Sequence, residues 1–197
     1  MSGRLGILIA GGRGVRFGGP KALVIFRGRT LVELARESLA AVCDEVVVVA
    51  PNGLDLPVPE SERVADRGEH EGPLSALVAG LEARSFTCAL ALAVDLPRLD
   101  RSHLARLLAA WSNDAALVPL FAGRLQPLAA VYSPASGAAL RARVEAGERA
   151  LVPAVTKLAP RTLDAEALRA LGIPPEALAD ADTPAELARL EAEGAGR

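Results

Sequence analysis

Short apolar segments alternate along the chain with segments whose apolar residues recur every three or four positions. Residues 5–10, 45–50 and 87–94 are almost continuous apolar runs, as expected of parallel strands that are buried on both faces. Residues 31–42 and 74–81 carry leucines and valines at the spacing of one helical face. This alternation predicts an α/β fold with a mostly parallel central sheet and helices on both of its faces.

The same kind of pattern predicts the other elements. Residues 63–65 form a short third strand that ends at Asp66, and Leu125–Tyr132 is strand-like, with Pro127 indicating an edge position or a bulge. Thr183-Pro184-Ala185-Glu186 is typical of a helix start, with a capping box and a proline at the first helical position. The remaining predicted helices lie at 104–111, 133–146, 151–158 and 165–171, and the remaining strands at 115–119 and 161–164.

Composition limits the classes of protein that the chain can represent. Its 197 residues fit a single domain, residues 1–197, and 51% of them are hydrophobic, enough for a sizeable core. The formal net charge of −2 argues against a general nucleic-acid or membrane-surface protein, and the apolar runs are too short to span a bilayer. No signal peptide is evident, and Cys43 and Cys88 are isolated in apolar surroundings, so we expect free thiols and a cytoplasmic location.

The loop after the first strand, residues 11–21, has the composition of a phosphate-binding loop. It contains five glycines, two arginines and one lysine. Glycines allow backbone N–H groups to approach a ligand closely, and consecutive N–H groups form an anion-binding concavity. Arg16 and Lys21 add positive charge, and the chain has only one other lysine, Lys157. The loop therefore predicts a cradle for a polyphosphate; the alternative is a flexible glycine loop without a ligand.

Two well-known glycine patterns do not fit this loop. The Walker pattern requires Gly-Lys followed by Ser or Thr, whereas Lys21 follows Pro20. The dinucleotide-binding pattern G-x-G-x-x-G matches at Gly12 and Gly14 but has Phe17 at its third glycine. The loop therefore belongs to neither class.

Two aspartates follow predicted strands, where a ligand would bind. Ligands of doubly wound sheets lie beyond the carboxyl ends of the strands, at the point where the strand order reverses. With the common order 3-2-1-4, the first and fourth strands are neighbours there, so Asp95 faces the loop at residues 11–21. A carboxylate beside a phosphate cradle suits Mg²⁺, which takes one or two carboxylates plus phosphate oxygens and waters. The alternative for Asp95 is a helix or turn cap, and for Asp66 a solvated loop position.

These motifs resemble those of one known family. The loop is similar to the signature L-A-G-G-x-x-x-R-M-G-x-D-K of nucleotidyltransferases of the molybdenum cofactor guanylyltransferase (MobA) type. Its matching residues are Ile9-Ala10-Gly11-Gly12, Arg16-Phe17-Gly18 and Lys21. Asp95-Leu96-Pro97, Gly72-Pro73-Leu74 and Asp180-Ala181-Asp182-Thr183-Pro184 resemble further segments of the family. Pro20 stands where the family usually has Asp, and in this respect the loop is similar to related cytidylyltransferases.

The resemblance implies a three-layer Rossmann-like nucleotidyltransferase fold and a set of site residues. It implies catalytic roles for Arg16, Lys21 and Asp95, with Asp95 as the Mg²⁺ ligand. It implies that Gln126-Pro127-Leu128 and Gly147-Glu148-Arg149 lie near the acceptor substrate, and that Asp180 or Asp182 either reaches the metal or helps to cap the last helix. The implied nucleotide-binding residues are Ile9, Ala10, Gly11, Gly12, Lys21, Asp66 and Asp95.

The implied reaction is the Mg²⁺-dependent transfer of GMP from GTP to molybdopterin, with release of pyrophosphate. A phosphate monoester has a second pKa of about 6, so such an acceptor is already anionic at neutral pH and needs no general base. The chain offers no convincing base, which suits this acceptor. Small residues at Ala10, Gly11 and Gly12 leave room for guanine, and backbone carbonyls or Asp66 could accept from its N–H groups.

The alternatives are the same chemistry with CTP or another phosphorylated acceptor, and a non-catalytic nucleotide-binding regulator. The resemblance also implies contact with molybdoenzymes or other proteins of cofactor synthesis.

Overall fold

The predicted alternation of strands and helices is present in the structure, a computed structural model that describes residues 3–11, 15–66 and 72–194. Its strands are β1 (Arg4–Ile9), β2 (Ile25–Phe26), β3 (Arg29–Thr30), β4 (Glu45–Ala50), β5 (Arg63–Ala65), β6 (Cys88–Ala93), β7 (Ala116–Phe121), β8 (Arg124–Leu125), β9 (Ala129–Tyr132) and β10 (Arg161–Leu163). Its α-helices are α1 (Leu31–Ala40), α2 (Pro73–Glu82), α3 (Arg101–Ala110), α4 (Pro134–Glu145), α5 (Leu151–Thr156), α6 (Ala165–Ala170) and α7 (Pro184–Gly194). Short 3₁₀ helices lie at Val15–Phe17, Lys21–Leu23, Glu60–Glu62 and Pro175–Leu178.

The central sheet has the strand order β5-β4-β1-β6-β9-β7-β10, with β8 paired to β7. Its first four strands run parallel, and β1 lies between β4 and β6, so that Ile7 is opposite Val47 on one side and Ala91 on the other. This confirms the predicted order 3-2-1-4 and the mostly parallel sheet. The fold is α/β, as the sequence predicted.

One predicted strand has different bounds and a different place in the sheet. The segment 125–132 was expected to form an edge strand or a bulge because of Pro127, but β9 begins only at Ala129 and lies inside the sheet, antiparallel to both β6 and β7. Pro127 lies in the preceding turn, where the N–H of Ala129 donates to the carbonyl of Gln126 (3.0 Å). A proline has no N–H for a sheet ladder, and this chain satisfies that restriction by starting the strand after it.

Side chains of the central strands alternate between two cores, one on each face of the sheet. Leu8 belongs to the core under α1, α3 and α7, whereas Ile7 and Val47 belong to the core under α2, α4 and α5. Helix α2 approaches the sheet closely at Gly80, where an added Cβ would lie 2.3 Å from Cγ2 of Ile7. A glycine inside a helix lowers helix propensity, but here it allows close packing of α2 on the sheet.

Two further predictions concern the thiols and membrane spans. Cys43 and Cys88 are both free, as expected, and burial raises the pKa of Cys43 to about 12, which keeps it a neutral thiol. Within the described part of the chain, no helix is both long and apolar enough to cross a bilayer.

Candidate active site

The carboxyl ends of β1, β4, β5 and β6 meet at one edge of the sheet, and backbone hydrogen bonds continue past them. The N–H of Asp66 donates to the carbonyl of Ala50 (2.9 Å), and the N–H of Val94 donates to the carbonyl of Ile9 (3.1 Å). These two bonds extend the sheet by one residue beyond β5 and β6. This places Asp66 and Asp95 at the edge where ligands of such sheets bind.

A cavity of about 660 Å³ opens at this edge, which is within the usual size range of small-molecule sites. Four of the predicted site residues line it: Ile9, Gly11, Asp66 and Asp95. A Cβ added to Gly11 would have no atom of the described chain within 4 Å, so this glycine leaves open space on the cavity side. The other lining residues are Pro20, Pro51, Leu54, Gly72, Pro73, Ala76, Ala93, Val94 and Leu128.

The apolar wall of this cavity was largely missed by the sequence reasoning. Pro51 and Leu54 follow β4, and Ala76 lies in the first turns of α2. The apolar pattern predicts a strand at residues 45–50 and indicates no role for Pro51. Its position just after a central parallel strand, at the carboxyl edge of the sheet, was the signal that could have identified it as a lining residue.

Lys21, Asp95 and Asp182 form a compact group of charges at this edge, hereafter the Lys21 cluster. The Nζ atom of Lys21 lies 2.6 Å from Oδ1 of Asp182 and 3.3 Å from Oδ2 of Asp95. The Lys21 side chain is only 10% exposed, and its ammonium lies 5.9 Å from the centre of the Phe17 ring. A lysine this buried is uncommon unless it is paired, and here it is paired twice.

The last segment of the chain brings Asp182 to this group. The N–H of Ala181 donates to the carbonyl of Asp95 (3.0 Å), which fixes the segment beside the end of β6. The N–H of Glu186 donates to Oγ1 of Thr183 (3.2 Å), as predicted for the capping box, whereas the Glu186 carboxylate accepts from the N–H of Asp182 (2.8 Å). Asp182 thus contacts the cap through its backbone and Lys21 through its side chain. Asp180 is exposed and lies outside the cluster.

The surroundings of Asp95 disfavour its negative charge. Burial raises the pKa of the Asp95 carboxyl above its ordinary value; Lys21 opposes this rise and the nearby Asp182 carboxylate adds to it. Lys21 therefore does not fully compensate the cost of burying the Asp95 carboxylate. A bound cation next to Asp95 would stabilise the charged form of this carboxylate further.

The donor set of the cluster fits Mg²⁺. This ion takes one or two protein carboxylates and completes its shell with waters and phosphate oxygens. Asp95 and Asp182 supply two carboxylates that converge on one point, the Nζ atom of Lys21. Among the described residues, no group of three or more acidic, histidine or cysteine side chains could enclose a metal. The arrangement thus suits a cation shared with a phosphorylated ligand, not one enclosed by protein alone.

Three predicted residues are not brought to the cavity or cannot be placed. Arg16 has an exposed side chain in the 3₁₀ turn Val15–Phe17 and is not among the described residues that line the cavity. Ala10 is buried and is not among these lining residues either. Gly12 lies outside the described residues. A phosphate-binding role for these residues stays a prediction.

Comparison with known proteins identifies the family of the chain. The family model described as the MobA-like NTP transferase domain matches residues 6–160. The chain is 39% identical over 160 residues to a protein of Chloroflexus aggregans named probable molybdenum cofactor guanylyltransferase, a match that covers 78% of this chain and 76% of that protein. It is 29% identical over 189 residues to the molybdenum cofactor guanylyltransferase of Desulfosudis oleivorans, covering 95% and 94% of the two chains.

Solved structures share the fold. The crystal structure of molybdopterin-guanine dinucleotide biosynthesis protein A from Archaeoglobus fulgidus aligns with a TM-score of 0.78 at 21% identity, over 98% of this chain and 100% of that one. The 2-C-methyl-D-erythritol 4-phosphate cytidylyltransferase of Thermus thermophilus aligns with a TM-score of 0.70 at 24% identity, over 99% and 100% of the two chains. Both confirm a three-layer nucleotidyltransferase fold. Together with the family match, they show that the chain belongs to the MobA-like NTP transferase family and is a nucleotidyltransferase.

Proposed function

We propose that this protein transfers GMP from GTP to molybdopterin in a Mg²⁺-dependent reaction that forms molybdopterin guanine dinucleotide and releases pyrophosphate. The observation that carries the proposal is the Lys21 cluster, because it combines two carboxylates and an ammonium at the edge of a cavity of about 660 Å³. The names of the relatives in Chloroflexus aggregans and Desulfosudis oleivorans support the substrate pair.

The charged residues then have two roles. Asp95 and Asp182 hold the cation, and Lys21 and Arg16 bind phosphate oxygens of the nucleotide. Mg²⁺, when bound, neutralises negative charge on the phosphates as the transition state forms. The chain's contribution to the reaction is mainly positioning and charge stabilisation, since phosphoryl-type transfer needs little covalent participation from the protein.

The bond changes require no general base from the protein. An oxygen of the terminal phosphate of molybdopterin attacks the α-phosphorus of GTP, a new P–O bond forms, and the bond from the α-phosphorus to the bridging oxygen of the β-phosphate breaks. The leaving pyrophosphate takes the electron pair and carries its charge towards Lys21. The acceptor phosphate is already ionised near neutral pH, since its second pKa is about 6.

The choice of GTP depends on the half of the cavity beside β4 and β5. Pro51, Leu54 and Ala76 provide apolar surface for a base, and Asp66 supplies a carboxylate at the same cavity. Guanine carries N1–H and N2–H₂ donors, which a carboxylate or backbone carbonyl can accept. A site built for these donors rejects a base that leaves its acceptors unpaired.

A panel of nucleotides tests the proposal. Titrating GTP, CTP and ATP with Mg²⁺ in a calorimeter should give the tightest binding for GTP, and pyrophosphate should be released only when molybdopterin is added. Tighter binding of CTP would replace the guanylyl assignment by a cytidylyl one, which the Pro20-Lys21 pair favours. Nucleotide binding without pyrophosphate release from any acceptor would favour a non-catalytic nucleotide-binding regulator, whereas the presence of Asp95 in the sequence argues for the enzyme. Contact with molybdoenzymes and a cytoplasmic location stay predictions.

A further inference from the structure

Lys21 pairs with the two carboxylates that the proposed reaction assigns to a cation. Its Nζ atom is 2.6 Å from Asp182 and 3.3 Å from Asp95. Mg²⁺ binds carboxylate oxygens at about 2.0–2.1 Å, so a cation on these oxygens would lie against the ammonium. Two positive ions at such a separation repel strongly, most of all where burial lowers the dielectric constant. Lys21 and the divalent cation therefore compete for one site.

We propose that Lys21 excludes the divalent cation from the nucleotide-free protein and releases the two carboxylates only when nucleotide phosphates bind its ammonium. This inference rests on the proposed function, because it requires a nucleotide whose phosphates reach Lys21. Cation and nucleotide then bind as a coupled pair: the phosphates remove the competitor, and the cation occupies the vacated oxygens. By thermodynamic linkage, each ligand raises the affinity of the protein for the other.

The geometry supports an exchange made by the side chain alone. The backbone of Lys21 is fixed in a short 3₁₀ helix, where the N–H of Val24 donates to its carbonyl (3.1 Å). A lysine combines a compact charge with a flexible four-carbon stem, so the ammonium can change partners without movement of the backbone. The backbone that carries the two carboxylates is also held in place, since the N–H of Ala181 donates to the carbonyl of Asp95. The long lysine side chain is thus the most movable member of the group.

An alternative is that Lys21 serves only to neutralise two carboxylates and stabilise the fold. The structural role and the competing role of Lys21 predict different affinities for a divalent cation. A purely structural lysine would leave the affinity for a divalent cation unrelated to nucleotide, and its removal would chiefly lower the melting temperature. A competing lysine makes metal affinity in the absence of nucleotide rise when the charge is removed.

The test is a Mn²⁺ titration of the nucleotide-free protein, followed by electron paramagnetic resonance or calorimetry. Lys21→Met keeps the length of the side chain without its charge, and we expect it to bind one Mn²⁺ about tenfold or more tightly than wild type, because a repelling charge within a few ångströms is gone. Lys21→Arg keeps the charge, so its affinity should stay low. If Lys21→Met melts at a much lower temperature, Lys21→Gln, which can still donate to a carboxylate, replaces it with the same expected gain.

Two controls locate the effect. Lys157 is the only other lysine and pairs with Glu148 at 3.0 and 3.1 Å on another part of the surface, so Lys157→Met should leave Mn²⁺ binding unchanged. The double variant K21M/D95N should lose the tight Mn²⁺ site, which shows that the ion is bound by the Lys21 cluster. Tight Mn²⁺ binding that survives in the double variant would overturn the proposal.

A second measurement reports on the coupling itself. Addition of GTP should raise the Mn²⁺ affinity of wild type by a larger factor than that of Lys21→Met, in which no competitor remains to be displaced. Equal factors, or Mn²⁺ affinities without nucleotide that do not differ between the two proteins, would overturn the competition while leaving the transferase proposal standing. Failure of wild type to bind any nucleotide with Mg²⁺ would instead overturn the proposed function, and this inference with it.

Discussion

Asp95 of the Lys21 cluster and Asp100 at the start of helix α3 are near each other in the sequence, yet their surroundings shift the two pKa values in opposite directions. At the start of α3, Oδ1 of Asp100 accepts from the N–H of Ser102 (2.9 Å) and from the N–H of His103 (3.1 Å). Burial alone would raise the pKa of Asp100, but these hydrogen bonds outweigh it and hold the pKa below its ordinary value. At Asp95, burial dominates and the pKa is raised.

The difference distinguishes a carboxylate whose charge the fold stabilises from one whose charge the fold disfavours. The charge of Asp100 is stabilised by the helix that it caps, so the protein itself provides its partners. The charge of Asp95 is only partly compensated by Lys21, so the cation proposed above would stabilise it further. A raised pKa in a cavity is also common in active sites, where binding or catalysis maintains an arrangement that folding alone would not favour.

The largest expected effect comes from removing the charge of Asp95. We expect Asp95→Asn to lower turnover about 1,000-fold, at the upper end for loss of one group that stabilises transition-state charge. Pyrophosphate release at limiting Mg²⁺ measures this loss. A turnover close to that of wild type would remove Asp95 from the mechanism.

The stability of the same variant should change little or increase. Because the folded-state pKa of Asp95 is raised, the native protein holds this proton to higher pH than the unfolded chain does. Ionised Asp95 therefore lowers stability, progressively as the pH rises from the unfolded value of about 3.9 through the folded one. Asn removes that penalty, so the melting temperature at pH 7 should equal or exceed that of wild type. A clear drop would show that the pair with Lys21 stabilises the fold more than burial opposes it.

A smaller loss is expected at Arg16, whose role is predicted from the loop sequence. Arg16→Ala should reduce transition-state stabilisation by about 2 kcal/mol, less than the loss of a fully enclosed donor because the side chain is exposed. The matched control is Arg101→Ala, which removes an exposed arginine at the first residue of α3. Steady-state kinetics should separate the two variants, with unchanged melting temperature for Arg16→Ala. Equal activity of both would make Arg16 an ordinary surface residue.

Much of the fold could be predicted because central parallel strands are unambiguous in this sequence. The runs that became β1, β4 and β6 are apolar at nearly every position, and the order around β1 follows the common doubly wound arrangement. Prediction failed at 125–132, where a short strand follows a proline turn. There the apolar pattern alone does not determine where the ladder of hydrogen bonds begins.

The candidate site could be predicted only in part. Lys21 and Asp95 could be predicted as candidates because a charged glycine loop and a strand-end carboxylate are local signals. The contact between Lys21 and Asp182 joins residues 161 positions apart, and the sequence left Asp182 equally divided between a metal ligand and a cap. The structure shows that its backbone and side chain contact different groups. That outcome depends on where the last helix packs, which no local pattern specifies.

Asp100→Ala tests the other half of the comparison, because it should lower the stability of the protein and leave its activity unchanged. Asp100→Ala removes the side-chain acceptor for two backbone N–H groups, and we expect a loss of about 1 kcal/mol in the free energy of unfolding at pH 7. The lowered pKa means that this contribution is present above the unfolded value of about 3.9 and is lost as the pH falls through the folded pKa. Urea unfolding at pH 7 and at low pH measures the difference, which should shrink in acid. A pH-independent difference would mean that the charge of Asp100 does not matter to its cap.

The smallest expected effect separates two neighbouring residues of the last segment. Thr183 caps α7 through the hydrogen bond from the N–H of Glu186 to its Oγ1 atom (3.2 Å), so Thr183→Ala should lower stability by about 1 kcal/mol or less and leave the Mg²⁺ requirement unchanged. Asp182 bonds Lys21 through its side chain, so Asp182→Asn should raise the Mg²⁺ concentration needed for half-maximal activity while its backbone bond to Glu186 persists. Thermal melting and a Mg²⁺ titration of both variants distinguish the roles. An unchanged Mg²⁺ requirement in Asp182→Asn would reduce this segment to a helix cap, because its one side chain in the Lys21 cluster would then be dispensable for the cation.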